Sequence, residues 1–128
     1  PYTTLFRSLS APFTVVPVPG NPESIRKRGW DQLEEIAGIL RQRYGFSVKT
    51  LLSRKPSQQQ KTLSFRQRCE NLRGKITVKA GTLPVKGNSI VLIDDVFTTG
   101  ATVSECARVL QKTRDAAGKI DVVTIAID

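Results

Sequence analysis

The sequence predicts an α/β fold: a mostly parallel sheet with helices on both faces. Three observations lead there. Strand-like and helix-like stretches alternate from Phe13 to the C-terminus, which is the pattern of strand–helix–strand units. Ile90, Val91, Leu92 and Ile93 form an unbroken apolar run, three of them β-branched, as suits a strand covered on both sides. A carboxylate pair, Asp94 and Asp95, is expected to end that strand, and a turn of small residues and then an amphipathic segment follow. In open α/β sheets the ligand lies beyond the carboxyl ends of the strands, where this pair and turn fall.

The elements follow in chain order. Phe13 to Val18 reads as the first strand, with Pro17 and Pro19 tolerable only near its end or on an edge. Pro19 to Pro22 makes a turn. A helical stretch from about Glu23 to Tyr44 has Gly29 as a candidate break, and Leu33, Ile36, Ala37 and Leu40 share one apolar face. Gly45 suits its C-cap. Ser47 to Leu52 is expected as a second strand, and Arg54 to Leu63, polar and glutamine-rich, as a mobile loop. Ser64 can cap a short helix through Asn71. Lys75 to Val78 is a weak strand, joined to the Ile90 strand by a Gly/Pro/Asn connection. Ala101 to Ala117 is a helix with Val103, Cys106, Ala107 and Leu110 inward, ended by Gly118. Ile120 to Ile127 is the last strand.

At 128 residues the chain holds one small domain, placed at residues 13–128. No apolar run approaches the roughly 18 residues of a membrane span, so no membrane insertion is expected. No stretch reads as a signal peptide. Two distant cysteines and no histidine speak against a zinc site and rule out Ser-His or Cys-His nucleophile pairs. Lone thiols fit a reducing, cytoplasmic setting. The formal net charge of +9 calls for anionic partners, either nucleic acid or a polyphosphate substrate. Pro1 to Ser8 resembles the in-frame translation of a sequencing-library adapter and is set aside, as one sets aside an expression scar. The natural chain is then expected to extend further at its N-terminus.

Asp94 and Asp95 followed by Thr98, Thr99, Gly100, Ala101 and Thr102 combine two devices. A helix N-terminus offers backbone N–H groups and a favourable dipole to a phosphate. Adjacent carboxylates accept hydrogen bonds from sugar hydroxyls. Together they suit a sugar phosphate. A Walker-type reading of the apolar run and acids fails for want of a phosphate loop; the nearest segment, Gly81 to Ser89, has no Lys directly before its Ser.

This segment resembles the loop of type I phosphoribosyltransferases that binds 5-phosphoribosyl 1-pyrophosphate (PRPP). The resemblance sharpens with Val-Pro-Val-Pro at Val16 to Pro19, Arg-Lys-Arg-Gly-Trp-Asp-Gln at Arg26 to Gln32, and the run from Leu63 to Gly74. In this order the motifs resemble the ComF family, a phosphoribosyltransferase branch associated with competence and DNA uptake. Trp30 stands where that family usually has Phe or Tyr, and Gly20 and Asn21 where it usually has Leu and His. The family's Cys-rich zinc module has no counterpart here.

The resemblance implies a Mg²⁺-dependent transfer of a phosphoribosyl group from PRPP. Asp94 and Asp95 would hold the ribose hydroxyls and, through water, Mg²⁺. Thr98, Thr99, Gly100, Ala101 and Thr102 would wrap the 5-phosphate. Val18, Pro19, Gly20 and Asn21, with Arg26 and Arg28, would take the pyrophosphate. Gln60, Lys61, Arg68 and Asn71 fall in the region of the family's flexible catalytic loop. Trp30 is expected to pack in the core, with stacking on a base or sugar as the alternative. The competing function is a non-catalytic platform for single-stranded DNA or competence proteins. A homo-oligomer stays open.

Overall fold

In the computed structural model of the chain, residues 13–56, 64–79, 89–97, 100–113 and 119–127 are described. The expected α/β architecture is present. Strand β1 (Phe13–Pro17) lies parallel to β4 (Ser89–Phe97), and β4 lies parallel to β5 (Ile120–Ile127), in the order β1-β4-β5. Register runs from Phe13 opposite Ser89 to Pro17 opposite Ile93, and Asp94 lies opposite Thr124.

Among the described residues four helices accompany these strands: α1 (Pro22–Arg28), α2 (Gln32–Tyr44), α3 (Phe65–Leu72) and α4 (Ala101–Thr113). The helical stretch does break at Gly29, which adopts φ 84° and donates its N–H to Ile25. Asp31 then caps α2 by accepting from Leu33 and Glu34. Ser64 caps α3 in a reciprocal box with Gln67, at 2.9 and 3.3 Å. Residues 114–118, including the expected stop at Gly118, lie outside the described residues.

The core is the sheet itself. Val15, Val16 and Ile90 to Ile93 are each at most 5% exposed, so consecutive residues of β4 are covered and both of its faces are packed. Leu33, Ala37 and Leu40 of α2 join them, as do Val103, Cys106 and Leu110 of α4. Each fully buried aliphatic side chain contributes roughly 1.5–3 kcal/mol.

Three expectations need correction. Ser47 to Leu52 is not one strand. Val48 makes a single parallel bridge to Val15, and the chain then leaves the main sheet. Leu51 and Leu52 are both buried, which straight alternation over one core does not allow. Leu52 begins β2 (Leu52–Arg54), paired antiparallel with β3 (Ile76–Val78) in a separate two-stranded ribbon. Second, the carboxylates do not end β4; it continues through them to Phe97 because β5 keeps pairing beyond Asp94. Third, Trp30 is not a core residue: it is 49% exposed, placed by the link between the two helix caps.

Candidate functional site

At the carboxyl ends of β1 and β4 the chain encloses a cleft of about 170 Å³. Its walls come from several elements. The β1–α1 loop gives Val18, Pro19, Gly20 and Asn21; β4 gives Asp94 and Asp95; α4 gives Thr102; and the ribbon gives Arg54. Ser24, Arg28, Asp31 and Leu33 complete it. Asp94, Asp95 and Thr102 therefore meet the predicted pyrophosphate residues Val18, Pro19, Gly20, Asn21 and Arg28 in one place.

The loop is shaped by its neighbours. The N–H of Val18 donates to the Ile93 carbonyl at 2.9 Å, which ties the loop to β4. Pro19 has no N–H, so any N–H facing a ligand begins at Gly20. A Cβ on Gly20 would stand 3.0 Å from Ile25 Cδ1, so a side chain there would press on α1. Asn21 is 6% exposed and caps α1, its Oδ1 accepting from Glu23 N at 3.2 Å.

Asp94 is 8% exposed, and its Oδ1 accepts the Asp95 N–H at 2.9 Å. Asp95, the next residue on the strand, is half-buried. Burial, and then the neighbouring Asp95, push the Asp94 carboxyl up from 3.8 to about 7, while Arg54 pulls it back. Arg54 in turn has its pKa lowered by burial, with Cys106 and Asp94 acting against that. Beneath them Cys106 is fully buried, and desolvation drives its thiol up to about 12. It is a packing residue, not a nucleophile.

On the phosphate side Gly100 adopts φ 81°, a conformation L side chains resist. Its carbonyl accepts from Ser104 at 2.9 Å, starting α4. Ala101 is buried and Thr102 lines the cleft. Thr98 and Thr99 lie outside the described residues, as do Gln60 and Lys61. Arg28 reaches the cleft; Arg26 is exposed on α1 and is not among the cleft's lining residues. Arg68 and Asn71 sit half-buried on α3, also outside the lining set.

Sequence reasoning missed Arg54, read there as the start of a loop. No local signal marks it, because it is placed by the pairing of β2 with β3. Ser24 and Asp31 were missed as well.

α4 is anchored by a second polar cluster. Glu105, 7% exposed, accepts Gly74 N–H at 3.1 Å and both Arg108 Nε and Nη2 at 2.7 Å. The Arg108 contact, above all, holds the Glu105 carboxyl below its usual range. The turn after α3 is thereby fixed to the helix that begins at Gly100.

A parallel sheet carrying an acid pair, with a glycine-led helix start at α4, is consistent with a Rossmann-like phosphoribosyltransferase fold. No family model matches the chain. It is 31% identical over 118 residues to competence protein ComFC of Streptococcus pneumoniae, covering 90% of this chain and 46% of that protein. It is 31% identical over 105 residues to ComFC of Bacillus subtilis, covering 82% and 41%. With DNA utilization protein YhgH of Salmonella typhimurium it shares 32% over 116 residues, covering 89% and 49%. The chain is thus a relative of these competence and DNA utilization proteins, and it spans about half their length. Among the described residues no helix is long and apolar enough to cross a membrane.

Proposed function

We propose that the cleft binds PRPP together with Mg²⁺ and that the chain is a phosphoribosyltransferase-like part of a protein acting in competence and DNA uptake. The observation that carries this reading is the meeting of Asp94 and Asp95 with Thr102, two residues past the positive-φ Gly100, in one cleft. The names of the ComFC and YhgH relatives support the setting in DNA handling.

Magnesium fits the residues present. Asp94 is a carboxylate whose ionised form is disfavoured by burial and by Asp95, so a cation at its mouth would relieve it. Among the described residues there is no cluster of three or more metal-ligating side chains. That suits an ion which keeps most of its waters and takes few protein ligands. Asp94 and Asp95 would hold it through water, and it would neutralise pyrophosphate charge when bound.

The chain's own residues position and bind. Asp94 and Asp95 accept hydrogen bonds from the ribose hydroxyls. The α4 N-terminus and the Thr102 hydroxyl take the 5-phosphate. Gly20, Asn21 and Arg28 lie where the pyrophosphate would rest, the guanidinium giving a charge-assisted contact. Displacement of pyrophosphate from the anomeric carbon by an incoming nucleophile then needs no covalent help from the protein, only alignment and charge stabilisation.

Calorimetry with PRPP, with and without Mg²⁺, tests the reading. Binding that requires Mg²⁺ and disappears in Asp94→Asn/Asp95→Asn, with the fold intact by circular dichroism, is expected. A folded protein with no measurable PRPP affinity would overturn it.

A further inference from the structure

We infer that Trp30 is a stacking seat for a nucleobase at the rim of the cleft. It is the only tryptophan in the chain, and it stands 49% exposed. Its backbone is pinned on both sides. Gly29 closes α1 with an N–H bond to Ile25 at 2.8 Å. Asp31 opens α2 by accepting from Leu33 N at 3.1 Å and Glu34 N at 3.4 Å. Trp30 is the single residue between the two caps, so its backbone is set before any ligand arrives and little backbone ordering entropy remains to be lost on binding.

The surroundings select the ligand. Arg28 and Asp31, the residues flanking the Gly29–Trp30 pair, both line the cleft. Arg26, Lys27 and Arg28 are exposed and basic in the last turn of α1. A protein-docking hot spot is depleted of charge at its centre, whereas here three cations precede Trp30 within four residues of the chain. An aromatic face beside a run of cations is the arrangement that takes a base by stacking and its phosphate by charge. The chain's net charge of +9 agrees with an anionic partner. The seat does not depend on PRPP occupying the cleft.

The base could arrive on a single strand or as a free nucleotide, and one experiment separates these sources. The protein is titrated with a thymidylate decamer, with an abasic decamer of the same backbone, and with adenosine monophosphate, reading the lone tryptophan's fluorescence. Quenching by the base-bearing decamer and none by the abasic one is expected. Quenching by the monophosphate as well assigns the seat to free nucleotides; its absence assigns the seat to a strand. Anisotropy of a labelled thymidylate decamer then compares variants. Trp30→Ala should weaken binding roughly 5- to 150-fold, the range of one base–aromatic stack, and Trp30→Phe should restore most of it. Equal affinity for both decamers with Trp30→Ala unchanged would overturn the inference in favour of charge alone. No quenching by any probe would overturn it too.

Discussion

Replacing Asp94 by Asn should make the unliganded protein more stable at alkaline pH while abolishing ligand binding. The carboxyl is buried against Asp95, and its pKa is raised from 3.8 to about 7 even with Arg54 nearby. The folded protein therefore holds this proton more tightly than the unfolded chain does. The stability contributed by the neutral acid is complete below pH ~4 and is lost as pH rises through about 7. At about 1.4 kcal/mol per pH unit, that window is worth at most ~4 kcal/mol. Solvent reaching the cleft brings the expected value to ~1–3 kcal/mol. Asparagine is near in shape and never ionises, so it escapes the loss. Urea unfolding of both proteins at pH 4 and pH 8 measures the difference. The variant should match the wild type within ~0.5 kcal/mol at pH 4 and exceed it by ~1–3 kcal/mol at pH 8, a rise of several degrees in Tm. A variant less stable than wild type at pH 8, or a difference that does not change with pH, would refute the argument.

Two other substitutions probe the frame around the site. Glu105→Gln removes the ionised partner of Arg108 and weakens the tie to Gly74; it should cost ~1–3 kcal/mol at pH 7 by chemical denaturation. Because this carboxyl lies below its usual range, the cost should shrink as pH falls through that range, the reverse of the Asp94 trend. Gly100→Ala forces a side chain into φ 81° and should cost ~1–2 kcal/mol; calorimetry should show a loss of PRPP affinity larger than that of Thr102→Ala.

The parts of the site that were legible in the sequence are those encoded by neighbours in the chain. The apolar run, the acids and Gly100 lie within eleven residues, and strand, turn and helix start follow from their order. The turn of the β1–α1 loop was legible for the same reason, from Pro19, Gly20, Asn21 and Pro22 in a row, though not the cap that Asn21 makes. Arg54 was not, because it reaches the cleft only through pairing of β2 with β3, and no local pattern announces a two-stranded ribbon. The end of β4 was misplaced since acids normally stop a strand, whereas here β5 keeps hydrogen-bonding past them. Trp30 misled in the opposite way. Its residue type argues for burial, but a one-residue link between two helix caps leaves it no route inward.

Cys106 gives the molecule a built-in timer. Its thiol sits under Asp94 with no exposed surface and a pKa driven to about 12, so a thiol reagent meets neither access nor thiolate while the fold is closed. Cys69, half-buried on α3, reacts on a different schedule. Modification of Cys106 therefore counts the moments when α4 parts from β4. Any ligand that bridges the acid pair and the start of α4 must slow that count, and the slowing reports, in units of opening frequency, how firmly the ligand clamps the two elements together.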